Sequence, residues 1–167
     1  MQPAVHYDVS PLVRKRYKVF ADYFQFYLWD RDMSPEAPTD YTDEDTERRI
    51  KTGRNVVVVQ PARNMDVPVD LEVVKAPPPV DLADWDHVAE ASLDLPSGNL
   101  QLHECTGGVV DDIALEPGTY RVRAYFGRLS DLSADGLAGN DHYRIVLWPA
   151  PSQPIRVLKQ YEEHQAG

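Results

Sequence analysis

Four stretches of this chain alternate apolar and polar side chains with a period of two. That alternation narrows the choice of fold more than any other feature. In Thr119–Phe126, Tyr120, Val122, Ala124 and Phe126 share one face, while Arg121 and Arg123 point the other way. Val67, Val69, Leu71 and Val73 alternate with Pro68, Asp70 and Glu72. Ala89, Ala91, Leu93 and Leu95 alternate with Val88, Glu90, Ser92 and Asp94, and Tyr143, Ile145 and Leu147 alternate with Arg144, Val146 and Trp148. Successive residues of a strand face opposite sides of its sheet, so each pattern predicts a strand with one face on a core and the other partly wet.

Tyr17–Trp29, Asn55–Gln60, Asn99–Glu104 and Ile155–Gln160 extend the expected strands to about eight. Turn chemistry separates them: Leu95-Pro96-Ser97-Gly98-Asn99 suits a tight hairpin, and Pro77-Pro78-Pro79 a stiff extended connector. One helix is signalled over Asp43–Thr52. Thr42 is placed to cap it, Asp43, Glu44 and Asp45 complement its dipole, Arg48, Arg49 and Lys51 fill its last turn, and Gly53 ends it. A helical turn is expected over Leu82–Trp85. The sum is a mainly β chain of 167 residues, an antiparallel β-sandwich of jelly-roll type with one or two short helices, forming a single domain over residues 1–167.

The formal charge of −10, from 27 acids against 17 cations, argues against a nucleic-acid partner, because each phosphate contact asks for a Lys or Arg. One cysteine, Cys105, excludes an internal disulfide and a Cys-rich zinc site. No apolar run has the length of a membrane span or a secretory signal, so the expectation is a cytoplasmic protein with no membrane partner.

The charge is concentrated. Asp30–Glu47 carries eight carboxylates against a single Arg31, directly after the aromatic run Ala21–Trp29. Asp30-Arg31-Asp32 begins like a calcium loop, but Ser34 and Pro35 follow where that loop needs a ligand and then a Gly, so no metal site is expected there. His6, His87, His103, His142 and His164 show no metal-binding spacing. His103 and Cys105 share a strand face, yet no helix follows the cysteine to lower its pKa, and a structural thiol is the simpler reading. The alternation of Tyr23, Tyr27 and Trp29 assigns these aromatics to a packed face rather than a sugar platform. No cofactor and no catalytic constellation emerge.

Three short motifs carry a family resemblance: Phe24-Gln25-Phe26-Tyr27 in an aromatic strand, Tyr41-Thr42-Asp43-Glu44 at a helix start, and Pro117-Gly118-Thr119-Tyr120 leading into a late strand. In their order they resemble the competence protein J family, small bacterial inhibitors of a DNA-entry nuclease. Tyr41 stands where that family favours Trp. The resemblance implies a β-sandwich and a protein partner, and it implies no catalytic residue.

The leading expectation is therefore a non-enzymatic acidic module that binds a basic protein, an inhibitor or immunity-type protein for a nuclease or toxin. Asp30, Asp32, Glu36, Asp40, Asp43, Glu44, Asp45 and Glu47 would supply the charge, and Tyr41 an aromatic anchor. The alternative is a small-ligand binder or enzyme with its site at the mouth of the sandwich around His103, Cys105 and His142.

Overall fold

A computed structural model describes residues 12–163. Among these residues, eleven strands in two sheets enclose one main core. In chain order they are β1 (Val13–Phe20), β2 (Phe26–Asp30), β3 (Ile50–Gly53), β4 (Val56–Val59), β5 (Asp66–Val73), β6 (His87–Leu95), β7 (Asn99–Glu104), β8 (Gly108–Ala114), β9 (Gly118–Gly127), β10 (His142–Pro149) and β11 (Arg156–Lys159). The six-stranded sheet runs β1-β5-β10-β9-β6-β11, and the five-stranded sheet runs β3-β4-β2-β7-β8. All pairings are antiparallel except β5 with β10. The alternating residues of β5, β6, β9 and β10 point inward as expected, with Val69, Leu71, Ala91, Val122, Ala124 and Ile145 fully buried.

The long segment Tyr17–Trp29 is two strands, one in each sheet. After β1 the chain turns through Asp22–Phe24, where Tyr23 and Phe24 both adopt φ 58°, and then enters β2. The expected helix is shorter. Thr42 and Asp45 form a capping box at its start, but α1 (Asp43–Arg48) stops when Arg49 takes a left-handed conformation at φ 60°. Ile50 and Thr52, β-branched, then pair with Val59 and Val57 as β3. Leu82–Trp85 makes a turn closed by Trp85 N–H donating to the Leu82 carbonyl, not a helix. The Leu95–Asn99 hairpin is present, with Gly98 at φ 76°.

The outer face of β9 is not wet. Arg121 and Arg123 are 2% and 3% exposed, because the segment around Pro78 and the loop through Gln153 and Pro154 cover that face and accept their hydrogen bonds. Both guanidinium groups share the carboxylate of Glu90 on β6. No helix among the described residues is long and apolar enough to cross a membrane.

Candidate protein-binding surface

Residues 31–42 leave β2 and reach α1 across the outer face of the five-stranded sheet. That face is built by alternation: Phe26 and Leu28 enter the core, so Tyr27 and Trp29 point outward, next to Val56 and Val58 of β4 and Gln101 and His103 of β7. Ala37 of the connector packs on this cluster, and Val56 and Val58 are fully buried beneath it. Tyr27 stacks on Trp29 with ring centroids 5.2 Å apart, and His103 lies 4.6 Å from Trp29.

Polar contacts fix the connector. The phenols of Tyr27 and Tyr41 both donate to Gln25 Oε1, at 2.9 and 3.0 Å. Burial raises both phenol pKa values, and the neighbouring Cys105 raises them further. Lys51 of β3 lies 5.0 Å from the Tyr41 ring and donates to the Asp40 carbonyl at 2.6 Å and to Asp45 Oδ2 at 2.7 Å. At the far end, His87 Nε2 and the Arg48 carbonyl are 2.7 Å apart, so the buried imidazole holds the C-terminal end of α1.

The acidic residues divide by what their carboxylates already hold. Asp30 is fully buried: one oxygen accepts from Asp32 N–H and the Ser97 hydroxyl, the other from Ser97 N–H. It ties β2 to the Leu95–Asn99 turn and, unlike the expectation for it, offers no carboxylate at the surface. Asp45 is committed to its cap and to Lys51, and the Lys51 hydrogen bond heads the causes that hold its carboxyl below the usual range. Asp32 accepts from Asn99, and Glu44 pairs with Arg48 one helical turn away. Glu36, Asp40, Asp43 and Glu47 are exposed and have no ion-pair partner among the described residues. These four, with the outward edge of Glu44, are the unspent charge of the surface.

Two exposed aromatics lie inside a stretch that the sequence reads as one strand. Tyr23 and Phe24 are 66% and 50% exposed, and both occupy the left-handed region, which bulky residues rarely adopt. Tyr23 N–H donates to Asn64 Oδ1 at 2.8 Å, and Asp22 accepts from Thr106 at 2.7 Å, so the turn is held in that shape. It precedes Gln25 and Phe26, and Phe26 pairs with Val59, itself paired with Ile50 just after α1. The aromatic turn and the acidic helix therefore lie at the same end of the sheet.

The residues of the alternative site do not meet. His103 and Cys105 belong to the outer face of the five-stranded sheet, where Cys105 packs with the Tyr27 cluster. His103 Nδ1 is 2.6 Å from the Glu104 carbonyl. His142 starts β10 on the outer face of the other sheet and lies 5.0 Å from Trp85. Both sheets separate them. Among the described residues, no three His, Cys, Asp or Glu side chains are grouped to hold a metal ion. His6 and His164 lie outside the described residues.

No family model matches the chain, and no curated protein matches its sequence. Solved structures do match its fold. The crystal structure of ComJ, inhibitor of the DNA degrading activity of NucA, from Bacillus subtilis, aligns with a TM-score of 0.64 at 13% identity, over 85% of this chain and 98% of that one. In fold, the chain is similar to ComJ. A second structure, the product of crocagin biosynthetic gene J, aligns with a TM-score of 0.52 at 18% identity, over 83% of this chain and 96% of that one. At these identities the likeness is one of fold, and the resemblance to the competence protein J family holds at that level.

Proposed function

We propose that this protein binds a basic protein, a nuclease or toxin, and blocks its active groove, acting as an inhibitor and not as an enzyme. The observation that carries the reading is the connector itself. It is tied at its start through Asp32 to Asn99 of β7, and at its end through Tyr41 to Gln25 and the Asp40 carbonyl to Lys51 of β3. Glu36 and Asp40 on it, and Asp43 and Glu47 on α1, are left exposed. A nuclease groove is basic because its substrate is anionic. A rigid array of carboxylates complements that groove, accelerates encounter and excludes DNA by like charge. Tyr23 and Phe24 supply the apolar contact area that charge alone does not, as aromatic residues do at the energetic centres of interfaces. The fold likeness to ComJ, which inhibits the DNA degrading activity of NucA, supports the same assignment.

The experiment is inhibition of DNA degradation by the basic nuclease encoded nearest to this chain in its genome. Equimolar protein is expected to suppress degradation, and the quadruple variant Glu36→Lys, Asp40→Lys, Asp43→Lys, Glu47→Lys is expected to lose the effect while keeping its melting temperature. Undiminished degradation in the presence of the folded wild-type protein would refute the proposal for that nuclease.

A further inference from the structure

The outer face of the six-stranded sheet, on the opposite side of the sandwich from the acidic connector, holds a cleft of about 480 Å³ with an excess of positive charge at its floor. Two guanidinium groups, Arg121 and Arg123, are buried there against the single carboxylate of Glu90. Glu90 Oε1 accepts from Arg121 Nε at 3.1 Å and Oε2 from Arg123 Nε at 2.7 Å. Every other partner of the two is neutral. Arg121 donates to Ser92 Oγ and to the Gln153 and Pro154 carbonyls, and Arg123 Nη1 donates to the Pro78 carbonyl and the Tyr125 hydroxyl.

One donor group is left over. Arg123 Nη2 has no hydrogen-bond partner among the described residues, and Arg123 lines the cleft. The guanidinium is held in orientation by stacking, 4.8 Å from the Trp148 ring and 5.8 Å from the Tyr125 ring. A third cation stands at the rim: Arg156 of β11 lies directly across from Glu90, is exposed, and forms no ion pair with a described residue. The lining also includes the apolar side chains of Val80, Leu82, Val157 and Leu158.

A buried charge without a counter-ion is unfavourable in a low-dielectric setting, and carbonyl dipoles only partly replace one. An anion bound here would sit between Arg123 and Arg156, with its uncharged part against Trp148 and the apolar lining. Arg121 and Arg123 against Glu90 leave one excess charge buried at the floor, which a monoanion matches. The second excess charge, on Arg156, stands exposed at the rim where water screens it, and Glu90 disfavours a dianion at the floor. We propose that this cleft binds a small organic carboxylate carrying an apolar stem. The site is independent of the acidic surface and does not rest on the inhibitor reading.

The test is nuclear magnetic resonance titration of the ¹⁵N-labelled protein with N-acetyl-L-phenylalanine, its uncharged amide, and phenyl phosphate. The carboxylate is expected to shift the Arg123 Nε–H and Trp148 indole N–H signals saturably, and the amide to leave them in place. Arg156→Gln removes only an exposed rim cation, so it is expected to keep the melting temperature while weakening carboxylate binding about tenfold, the worth of one hydrogen bond to a charged group. Equal shifts with the amide, no shift with any of the three, tighter binding of phenyl phosphate than of the carboxylate, or unchanged affinity in Arg156→Gln would each overturn the assignment.

Discussion

Lowering the pH should loosen this fold through one imidazole. His87 is fully buried, its Nδ1 accepts from Tyr161 N–H at 3.0 Å, and its Nε2 therefore carries the proton donated to the Arg48 carbonyl at 2.7 Å. Protonating Nδ1 would set one N–H against another in a dry site. Burial, aided by the nearby Arg49 and opposed by the Arg48 carbonyl, pushes the His87 pKa down from 6.5 to about 4. In the unfolded chain the ring titrates near its ordinary value. Between pH 6.5 and pH 4 the unfolded state thus binds a proton that the folded state refuses. The stability that neutral His87 contributes is complete above pH 6.5 and falls away as the pH drops to about 4. The slope is at most about 1.4 kcal/mol per pH unit, giving a total of about 3 kcal/mol. Urea unfolding of the wild type and of His87→Gln, measured at steps from pH 7.5 to 4, isolates this effect, because the carboxylates titrate in both proteins. The stability advantage of the wild type should shrink by about 3 kcal/mol across that window. Parallel curves would refute the reasoning.

Other outcomes follow from the same contacts. Val122→Asp should cost about 4 kcal/mol or more in urea unfolding, since its side chain is fully buried in the main core. Glu90→Gln should destabilise more than Arg123→Gln, because it leaves two buried guanidinium groups unneutralised where the other leaves a balanced pair; breaking a buried pair costs about 3–5 kcal/mol. The reverse order in urea melts would contradict the charge count. Tyr23→Asn and Phe24→Asn should leave the melting temperature unchanged or raise it, since Asn tolerates the left-handed backbone, while nuclease inhibition weakens. A lowered melting temperature would assign the pair to stability instead.

The sandwich was legible where side chains alternate cleanly. β5, β6, β9 and β10 lie where their period-two pattern placed them, and the Thr42 cap marks the start of α1. The end of α1 was not legible. Ile50-Lys51-Thr52 suits a helix's basic last turn as well as a strand, and only the tertiary pairing with Val57 and Val59 decides. β8 escaped because Gly108-Val109-Val110-Asp111-Asp112 does not alternate and its pairing with β7 shifts at Leu102 and His103. Arg121 and Arg123 looked solvated because sequence gives the face of a residue and not what covers that face; the covering segments lie about 30–45 residues away. For the same reason Asp30 could not be told from its exposed neighbours, since Ser97, which consumes its carboxylate, is 67 residues distant.

The inhibitor reading rests on charge held rigidly at the surface, and the association rate measures that most directly. Stopped-flow binding to the neighbouring basic nuclease, over a series from low to high salt, should show an on-rate that falls steeply as the screening length shortens to about 8 Å at physiological ionic strength. The quadruple reversal of Glu36, Asp40, Asp43 and Glu47 to Lys should lower the low-salt rate sharply and flatten its dependence on salt, with circular dichroism and melting temperature unchanged. An on-rate indifferent both to salt and to reversal of these four exposed acids would contradict electrostatic docking and leave them the role of keeping the protein in solution.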